Sequence, residues 1–260
     1  MYKEENMTVK KIDNGSYFDF GKTSSVYARY RDIYPKELYD KLLALGVAAD
    51  NTSWLDLGTG TGVLPENLYN PNAEISAADI SEQQIAFAKD KAEKNGHNIN
   101  YYCLPAEKTG FPDSSFDCIT AAQCFFYFDR NIMRGEISRM LKPEGKFIKV
   151  FMGWDENDTV ALESQNLVLK LNKSWESAKS ALEDINDNLF PGKVSESFYA
   201  DLPFTRESWH GRMCACRGTL ASMNSETFAL WEKEHIKMLE RFPKEFSVRH
   251  IIYITHFIVP

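Results

Sequence analysis

The sequence has few cysteines, no excess of positive charge and no long apolar run, and each of these absences excludes a class of protein. The five cysteines are an odd number and form no C-x-x-C pair, which argues against a disulfide scaffold and a zinc ribbon. The 30 basic and 37 acidic residues give a net charge of −7, which disfavours nucleic acid as a partner. No apolar stretch approaches the roughly 20 residues of a membrane span.

The rest of the composition is that of an ordinary globular protein. The chain has 260 residues, of which 43% are hydrophobic, enough for one α/β domain with a substantial core. Residues 1–11 are polar and charged, so we expect no signal peptide. We therefore expect a cytoplasmic monomer or homodimer with free thiols, and neither a membrane nor a nucleic-acid partner.

A glycine-rich stretch at residues 53–63, SWLDLGTGTGV, is the strongest local signal. Its short apolar half predicts a buried strand, and the glycines predict a turn into a helix. Such a turn exposes backbone N–H groups to a nucleotide or a carboxylate. The spacing is G-x-G-x-G, which is neither the G-x-G-x-x-G of dinucleotide enzymes nor a P-loop. Asp56, two residues before the first glycine, favours a cationic ligand over a pyrophosphate.

A second acid, Asp79, ends a predicted strand at residues 74–80. It follows the glycine turn at the distance where a Rossmann-type fold places a carboxylate on ribose hydroxyls. The alternative is an acid that only begins the next helix, which Ser81 caps. Further strands are predicted at 99–104, 116–121, 145–151, 198–204 and 246–259. Strands that alternate with helices predict an α/β fold with a parallel sheet, helices on both faces and ligands beyond the carboxyl ends of the strands.

Four ordered segments together resemble one family. They are LDLGTGTG at 55–62, the strand that ends at Asp79, PAEKTGFPDSSFD at 105–117 and AAQCFFYFD at 121–129. The chain resembles the class I S-adenosylmethionine-dependent methyltransferases, in particular the small-molecule group of the trans-aconitate and ubiquinone-menaquinone type. The resemblance implies a Rossmann-like sheet that is mostly parallel with its last strand antiparallel, an N-terminal helical cap and a helical lid insertion. It also implies S-adenosyl-L-methionine as cofactor and a small-molecule methyl acceptor.

The resemblance also implies a set of site residues. Asp56 would reach the cofactor's ammonium, Asp79 its ribose and Ile80 its adenine, while the glycine-turn amides meet the methionine part. The cofactor-binding residues so implied are Tyr27, Arg31, Asp56, Gly58, Thr59, Gly60, Asp79, Ile80, Ala106, Glu107, Gln123 and Cys124. Tyr27 and Arg31 lie in YARYRDIYP at 27–35, which resembles the family's N-terminal arm; alternatively, these tyrosines only pack a helix. Trp209 and Arg212, in a segment that resembles the family's lid, are candidate substrate residues or part of the lid's own core.

These observations predict a single methyltransferase domain. It divides into a cap at 1–50, a cofactor-binding core at 51–152, a lid or substrate region at 153–246 and a final strand at 247–260. No catalytic residue is assigned: His210, His250 and His256 have suitable chemistry for a base, but a carboxylate acceptor needs none. Arg31, Arg212 or Arg217 could hold such an acceptor. Two other functions stay open, a non-catalytic S-adenosylmethionine-binding protein and a nicotinamide-dependent oxidoreductase.

Overall fold

Strands and helices alternate over the first half of the chain, as the spacing of apolar residues predicts. In the computed structural model, which describes residues 30, 34–176 and 179–259, the strands are β1 Ser53–Leu57, β2 Glu74–Asp79, β3 Asn100–Cys103, β4 Phe116–Ala122, β5 Leu141–Trp154, β6 Val194–Thr205 and β7 Glu245–Ile258. The helices are α1 Lys36–Ala44, α2 Val63–Asn67, α3 Glu82–Asn95, α4 Arg130–Met140, α5 Thr159–Leu171, α6 Lys179–Asn186, α7 Arg206–Cys214 and α8 Ser225–Leu239.

The strands form one sheet in the order β3-β2-β1-β4-β5-β7-β6. The first five are parallel to one another, and β7 runs antiparallel to β5. The predicted α/β class, with a mostly parallel sheet and an antiparallel last strand, is therefore confirmed. The chain order reverses between β1 and β4, so the carboxyl ends of these two strands border a crevice. Open α/β sheets bind ligands at such a point.

Strand β6 departs from the helical lid expected at residues 153–246. It pairs with β7 along its whole length, from Val194 opposite His256 to Thr205 opposite Glu245, and forms an edge of the sheet. The sequence indicated only the second half of this strand, where Leu202 and Phe204 are buried. The first half is polar and exposed, so it lacks the apolar alternation that predicts a strand. The other described elements of the region are helices α5 to α8.

Helices cover both faces of the sheet, and the two largest of the hydrophobic clusters in the described residues lie between sheet and helices. One core contains Trp54 and Ile148 together with Leu38 and Leu42 of α1. The other contains Leu57 and residues of β4, β5 and α4. The inner strands are buried along nearly their whole length, which is the pattern of a parallel sheet covered on both faces. Within the described ranges, none of the helices is both long and apolar enough to cross a membrane.

Candidate functional site

The turn after β1 holds its glycines in the left-handed region of backbone conformation. Gly58, Gly60 and Gly62 have φ values of 63°, 59° and 75°. A Cβ atom on Gly58 would lie 2.6 Å from the Sγ of Cys124, closer than a real contact. Glycine is therefore needed at residue 58 both for its conformation and because the turn after β1 packs directly against the turn after β4.

The carboxylate of Asp79 joins two turns at the end of the sheet. One oxygen accepts a hydrogen bond from the backbone N–H of Gly60 and the other from that of Ser81, both at 2.9 Å. Burial raises the pKa of Asp79, and these two hydrogen bonds oppose the shift. The hydrogen bonds fix the carboxylate in position beside the glycine turn, where it lines a large cavity.

Asp56 lies beneath the glycine turn and is not among the residues that line the cavity. Its side chain is only 2% exposed and accepts a 2.6 Å hydrogen bond from the hydroxyl of Thr120. That hydroxyl in turn accepts from the indole N–H of Trp54 at 2.9 Å. Burial raises the pKa of Asp56 to about 7. Asp56 can therefore act on a bound cation through its charge, across the turn.

The turn after β4 supplies two further residues to the cavity. Gln123 has φ of 61°, unusual for a residue with a side chain. Its backbone N–H donates to Val150 O at 2.8 Å and its amide Nε2 donates to Met152 O at 2.6 Å. The Cys124 thiol donates to Leu57 O at 3.1 Å. These contacts hold the strained turn against the neighbouring strands, so the cavity wall at this point is built from anchored groups.

An apolar slot opens beside Asp79. Ile80 is 56% exposed although it is large and apolar, and Ile132 is 47% exposed. Both line the cavity together with Ala106 and Glu107. Glu107 accepts a hydrogen bond from the backbone N–H of Asp129 at 3.1 Å, which fixes its position. Exposed apolar side chains in a cavity wall suit a flat, weakly polar group such as a nucleobase.

The cavity has a volume of about 1690 Å³. Its near end lies at the glycine turn, and its far half lies at the carboxyl end of β5, beside Ile251 and Tyr253 of β7. Ligand pockets usually measure roughly 300–1,000 Å³. The cavity is therefore large enough for a nucleoside cofactor and a second molecule. Its far half has aromatic walls, formed by Tyr127, Trp154, Trp175, Tyr199 and Tyr253.

Two buried arginines face the far half of the cavity. The side chains of Arg212 and Arg217 line it, although the residues are only 3% and 7% exposed. Arg217 donates from Nη1 to the hydroxyl of Tyr127 at 3.2 Å. The guanidinium of Arg212 lies 5.7 Å from the centroid of the Trp154 ring. This end of the cavity therefore combines positive charge with aromatic surface, which is the chemistry of a site for an anionic or aromatic molecule.

The structure brings together most, but not all, of the residues that the sequence predicts for the site. Those that line the cavity are Gly58, Gly60, Asp79, Ile80, Ala106, Glu107, Gln123, Cys124 and Arg212. Thr59 does not line it; its backbone N–H donates to Ala78 O at 3.0 Å and ties the turn to β2. Tyr27 and Arg31 lie outside the described residues.

Trp209 lies in the protein core, not on the cavity wall. It is 0% exposed, its indole N–H donates to Ser164 Oγ at 2.9 Å and its ring packs on Phe204. Trp209 therefore does not contact a ligand in the cavity, and the alternative prediction, that it belongs to the core of the lid region, agrees with the structure. Helix α7 turns Arg212 towards the cavity and Trp209 away from it, a difference that sequence similarity to a lid segment does not resolve.

No histidine of the described chain lines the cavity. His250 is fully buried, its Nδ1 lies 2.9 Å from Val248 O, and burial lowers its pKa to about 4. His256 lies on β7 opposite Ile148 and Val194. His210 lies between α7 and α8, away from the cavity. The candidate bases that the sequence offered are therefore not placed at the site.

Sequence reasoning missed the aromatic wall. Tyr127, Trp175 and Tyr253 were not singled out as site residues. The signal for Tyr127 was present, because it belongs to the segment after β4 that carries the family resemblance. Trp175 and Tyr253 lie far apart in the chain, and only the fold brings them to the same cavity.

Comparison with known proteins identifies the family of the part of the chain that forms the glycine turn. Residues 55–149, which include most of β1, all of β2 to β4 and the turns after β1, β2 and β4, match the family described as a methyltransferase domain. Residues 55–149 are a methyltransferase domain of class I. The cofactor of this methyltransferase domain is S-adenosyl-L-methionine, and the sequence-based assignment to this class is confirmed.

Curated relatives match the methyltransferase domain over part of their length. The chain is 38% identical over 97 residues to the demethylmenaquinone methyltransferase of Thermus thermophilus, covering 36% of this chain and 44% of that protein. It is 34% identical over 134 residues to the malonyl-[acyl-carrier protein] O-methyltransferase of a Marinomonas species, covering 48% and 47%. The matches thus span less than half the length of these relatives.

Solved structures support the fold of most of the chain. The structure of a candidate type II methyltransferase from Anaeromyxobacter dehalogenans superposes with a TM-score of 0.58 over 87% of this chain and 97% of that one, at 22% identity. At this identity the similarity shows the fold alone. It extends beyond the methyltransferase domain match to most of the chain.

The residues at the near end of the cavity fit S-adenosylmethionine by their chemistry. A fixed carboxylate, Asp79, matches a pair of ribose hydroxyls, and the exposed Ile80 matches an adenine face. The acid beneath the turn, Asp56, matches a positively charged ligand. The cofactor carries no phosphate, so this end needs no cluster of basic side chains for a phosphate.

Proposed function

We propose that this protein transfers the methyl group of S-adenosylmethionine to a small-molecule acceptor bound in the far half of the same cavity. The proposal rests on one observation: a single cavity of about 1690 Å³ is lined by the glycine turn and Asp79 at one end and by Arg212 and Arg217 at the other. A cavity that held only the cofactor would need neither the aromatic wall nor the buried guanidinium groups.

At the near end, the chain's residues would bind and orient the cofactor. Asp79 would accept hydrogen bonds from the ribose, and Ile80, Ala106 and Glu107 would surround the adenine. The turn amides at Gly58, Thr59 and Gly60 would meet the methionine part, with Gln123 and Cys124 beside it. Asp56 would stabilise its positive charge from beneath. Tyr27 and Arg31 stay predictions for the same ligand.

When bound, S-adenosylmethionine supplies a methyl group on a sulfonium, which an acceptor takes by direct in-line displacement. The protein's task is then to hold the acceptor in line and to exclude water, and orientation of this kind can supply roughly 7–11 kcal/mol of the barrier. The aromatic wall of Trp154, Trp175 and Tyr253 would enclose the acceptor and keep water out.

The acceptor proposed here carries an anionic group. Arg212 and Arg217 place two positive charges in a buried wall, where charge-assisted hydrogen bonds are strong. A carboxylate or phenolate oxygen is already nucleophilic, so it needs no general base. This agrees with the finding that the histidines of the described chain lie away from the cavity. Nucleic acid and membrane are not part of the proposal; a cytoplasmic location and a monomeric or dimeric state stay predictions.

Two measurements on the purified protein test this function. Calorimetric titration with S-adenosylhomocysteine should show one site per chain, and titration with NAD should show none. A screen of carboxylic acids, phenols and amines, scored by formation of S-adenosylhomocysteine, should find turnover among the first two groups. Binding of NAD alone would replace the proposal with an oxidoreductase. Cofactor binding without turnover in a broad metabolite screen would favour the non-catalytic reading.

A further inference from the structure

A cluster of three possible metal ligands lies between α7 and α8, on the side of α7 away from the cavity. Its members are His210 and Cys214, one turn apart on α7, and Glu232 on α8. The Nε2 atom of His210 lies 3.5 Å from Cys214 Sγ and 3.7 Å from Glu232 Oε1. All three ligand atoms lie within 4.8 Å of one another.

Two of the three separations match the edges of a zinc coordination tetrahedron, and the third, between Cys214 Sγ and the Glu232 carboxylate, is at most 4.8 Å. Zinc binds imidazole nitrogen at about 2.0–2.1 Å, thiolate at about 2.3 Å and carboxylate oxygen at about 2.0–2.2 Å. At a tetrahedral angle these bond lengths give a nitrogen–sulfur edge of about 3.6 Å and a nitrogen–oxygen edge of about 3.4 Å. The observed 3.5 Å and 3.7 Å are within a few tenths of an ångström of these values. The sulfur–oxygen edge of such a tetrahedron is about 3.6 Å, and the half-exposed side chain of Glu232 can rotate towards Cys214 to close it.

A hydrogen-bond chain behind the cluster fixes the tautomer of His210. Ser164 Oγ donates to Val160 O at 2.7 Å, so its single proton is used, and it accepts from His235 Nε2 at 3.0 Å. His235 is fully buried and donates through Nε2, so its Nδ1 is the acceptor of the ring. His210 Nδ1 lies 2.8 Å from that atom and must donate to it. The lone pair of His210 therefore lies on Nε2, facing the other two members of the cluster.

This arrangement is that of a metal-binding histidine with its supporting partner. Histidines that bind metals almost always donate their second N–H to another group, which fixes the ring and its tautomer. Here His235 and Ser164 take that role from within the core. Trp231 stacks on the His210 ring at a centroid distance of 5.5 Å and restrains it further.

We propose that His210, Cys214 and Glu232 bind a zinc ion, with water as the fourth ligand, and that the ion fastens α7 to α8. One thiolate, one imidazole and one carboxylate form a set that zinc accepts and that magnesium and calcium do not. On binding, the thiol proton of Cys214 passes to solvent as the zinc–sulfur bond forms. Because α7 also carries Arg212, the ion would order one wall of the cavity.

The sequence did not indicate this site. The two cysteines of this segment, Cys214 and Cys216, form a C-x-C pair, whose spacing is not that of a zinc motif. The structure separates the two: Cys216 Sγ lies 3.4 Å from Arg212 Nη1 and faces the cavity. The relevant spacing is His210 to Cys214, which places both on one face of a helix, and the third ligand comes from another helix.

Metal binding is tested on the full chain after treatment with a chelator. Titration with Zn²⁺ should show one site per chain and raise the melting temperature by about 5–10 °C at a hundredfold excess over the Kd, whereas Mg²⁺ should do neither. With Co²⁺ as a probe, a thiolate-to-cobalt absorption band should appear. An unchanged melting temperature with Zn²⁺, or cobalt binding without the thiolate band, would overturn the proposal.

Variants identify the ligands. Cys214→Ser should abolish the thiolate band, and Cys103→Ser, which removes an exposed thiol on β3, should leave it unchanged. Glu232→Gln alters a half-exposed side chain and keeps its shape, so the variant folds and its Kd for Zn²⁺ should rise at least tenfold. A thiolate band that survives Cys214→Ser, or a Kd unaffected by Glu232→Gln, would remove that residue from the site and contradict the three-ligand arrangement.

Discussion

The carboxylate of Asp79 accepts a 2.9 Å hydrogen bond from the backbone N–H of Gly60 and thereby connects the ends of β2 and β1. The same carboxylate accepts from Ser81, at the start of α3, with its other oxygen. One side chain therefore sets the relative position of the glycine turn and of the helix that follows β2. Any ligand bound to Asp79 also meets a turn whose shape Asp79 maintains.

Asp79→Asn should weaken cofactor binding at least tenfold. The amide replaces one acceptor oxygen with a donor, so either Gly60 or Ser81 faces another N–H group, and a ribose hydroxyl loses a charged partner. A loss of about 1.4 kcal/mol corresponds to a tenfold change in Kd. Calorimetry with S-adenosylhomocysteine measures it. Asp90→Asn, on the exposed face of α3, is the control and should bind as wild type does. Equal affinity of both variants would remove Asp79 from the site.

Gly58→Ala should disrupt the turn and abolish binding of S-adenosylhomocysteine, whereas Gly96→Ala should lower the stability only by the backbone strain of alanine. Both glycines have positive φ, 63° and 68°, so alanine meets the same conformational penalty of about 1–2 kcal/mol at each. At Gly58 the new Cβ would also lie 2.6 Å from Cys124 Sγ, but at Gly96 it would meet nothing within 4 Å.

Urea unfolding of the two glycine variants separates strain from collision. We expect Gly58→Ala to lose at least about 2 kcal/mol more stability than Gly96→Ala. Overpacked sites typically lose roughly 1–3 kcal/mol, occasionally more. Binding of S-adenosylhomocysteine should be lost only in Gly58→Ala. Equal stability of the two variants would mean that the turn moves away from Cys124 without cost.

Asp56 should make the protein less stable as the pH rises from about 4 to about 7. Burial raises its pKa to about 7, against roughly 3.9 in an unfolded chain. In this window the folded protein binds more protons than the unfolded one, so the free energy of unfolding falls with pH, by roughly 4 kcal/mol in total. The contribution is fully present below pH 4 and is lost as the pH passes 7.

Asp56→Asn removes this dependence while keeping an acceptor oxygen for Thr120. Urea unfolding at pH 5 and pH 8 should therefore show that the free energy of unfolding of the variant, relative to that of the wild type, is higher at pH 8 than at pH 5. A constant difference between the two proteins at both pH values would show that Asp56 is charged in the folded state throughout. Binding of the positively charged cofactor should favour the ionised form and release protons near pH 6, which calorimetry in two buffers detects.

Much of the cofactor half could be predicted from the sequence because its signals are local. The glycine turn follows its strand directly, and Asp79 and Gln123 end strands whose apolar runs are continuous. Strand order places those ends side by side without any knowledge of side-chain packing. Asp56 is the exception, since its burial beneath the turn involves a hydrogen bond from Thr120 of the neighbouring strand β4, which in turn accepts from Trp54.

The far half could not be predicted in the same way. Arg212 and Arg217 were candidates for an anionic acceptor by their charge alone, but Trp175 and Tyr253 come from other parts of the chain, and no short motif links the four residues. Strand β6 was only partly indicated because its first half exposes polar residues on both faces. The helical periodicity of α7 does not tell which of Trp209 and Arg212 faces the cavity, because both are buried.

Arg217→Gln should raise the KM of the acceptor about tenfold and leave the KM of S-adenosylmethionine unchanged. Arg217 lies in the far half of the cavity, so its positive charge would act on the acceptor and not on the cofactor. The loss of one charged contact, about 1.4 kcal/mol, corresponds to that factor. Steady-state kinetics with the acceptor found in the screen measures both constants. Arg134→Gln, on the exposed side of α4, is the matched control; an acceptor KM equal in the two variants would separate Arg217 from the acceptor.

The buried pair Lys149–Asp184 should hold α6, and with it one side of the cavity, against the sheet. Lys149 Nζ donates to the backbone O of Asp184 at 2.7 Å and to its Oδ1 at 3.1 Å, and both side chains are more than 90% buried. Burial lowers the pKa of Lys149 and raises that of Asp184, so each charge depends on the other. Helix α6 contributes Ala181 and Glu183 to the cavity wall.

Lys149→Met should therefore destabilise the protein by about 3–5 kcal/mol, because among the described residues it leaves the buried carboxylate with Arg130, at 3.6 Å, as its one cationic partner. The double variant Lys149→Met/Asp184→Leu removes both charges and should recover most of that loss, since a buried ion pair is often no more stabilising than apolar residues of similar size. Urea unfolding of the wild type, both single variants and the double variant gives the coupling energy. A single variant that loses less than about 1 kcal/mol would mean that water reaches Asp184 and that α6 is held by its apolar contacts alone.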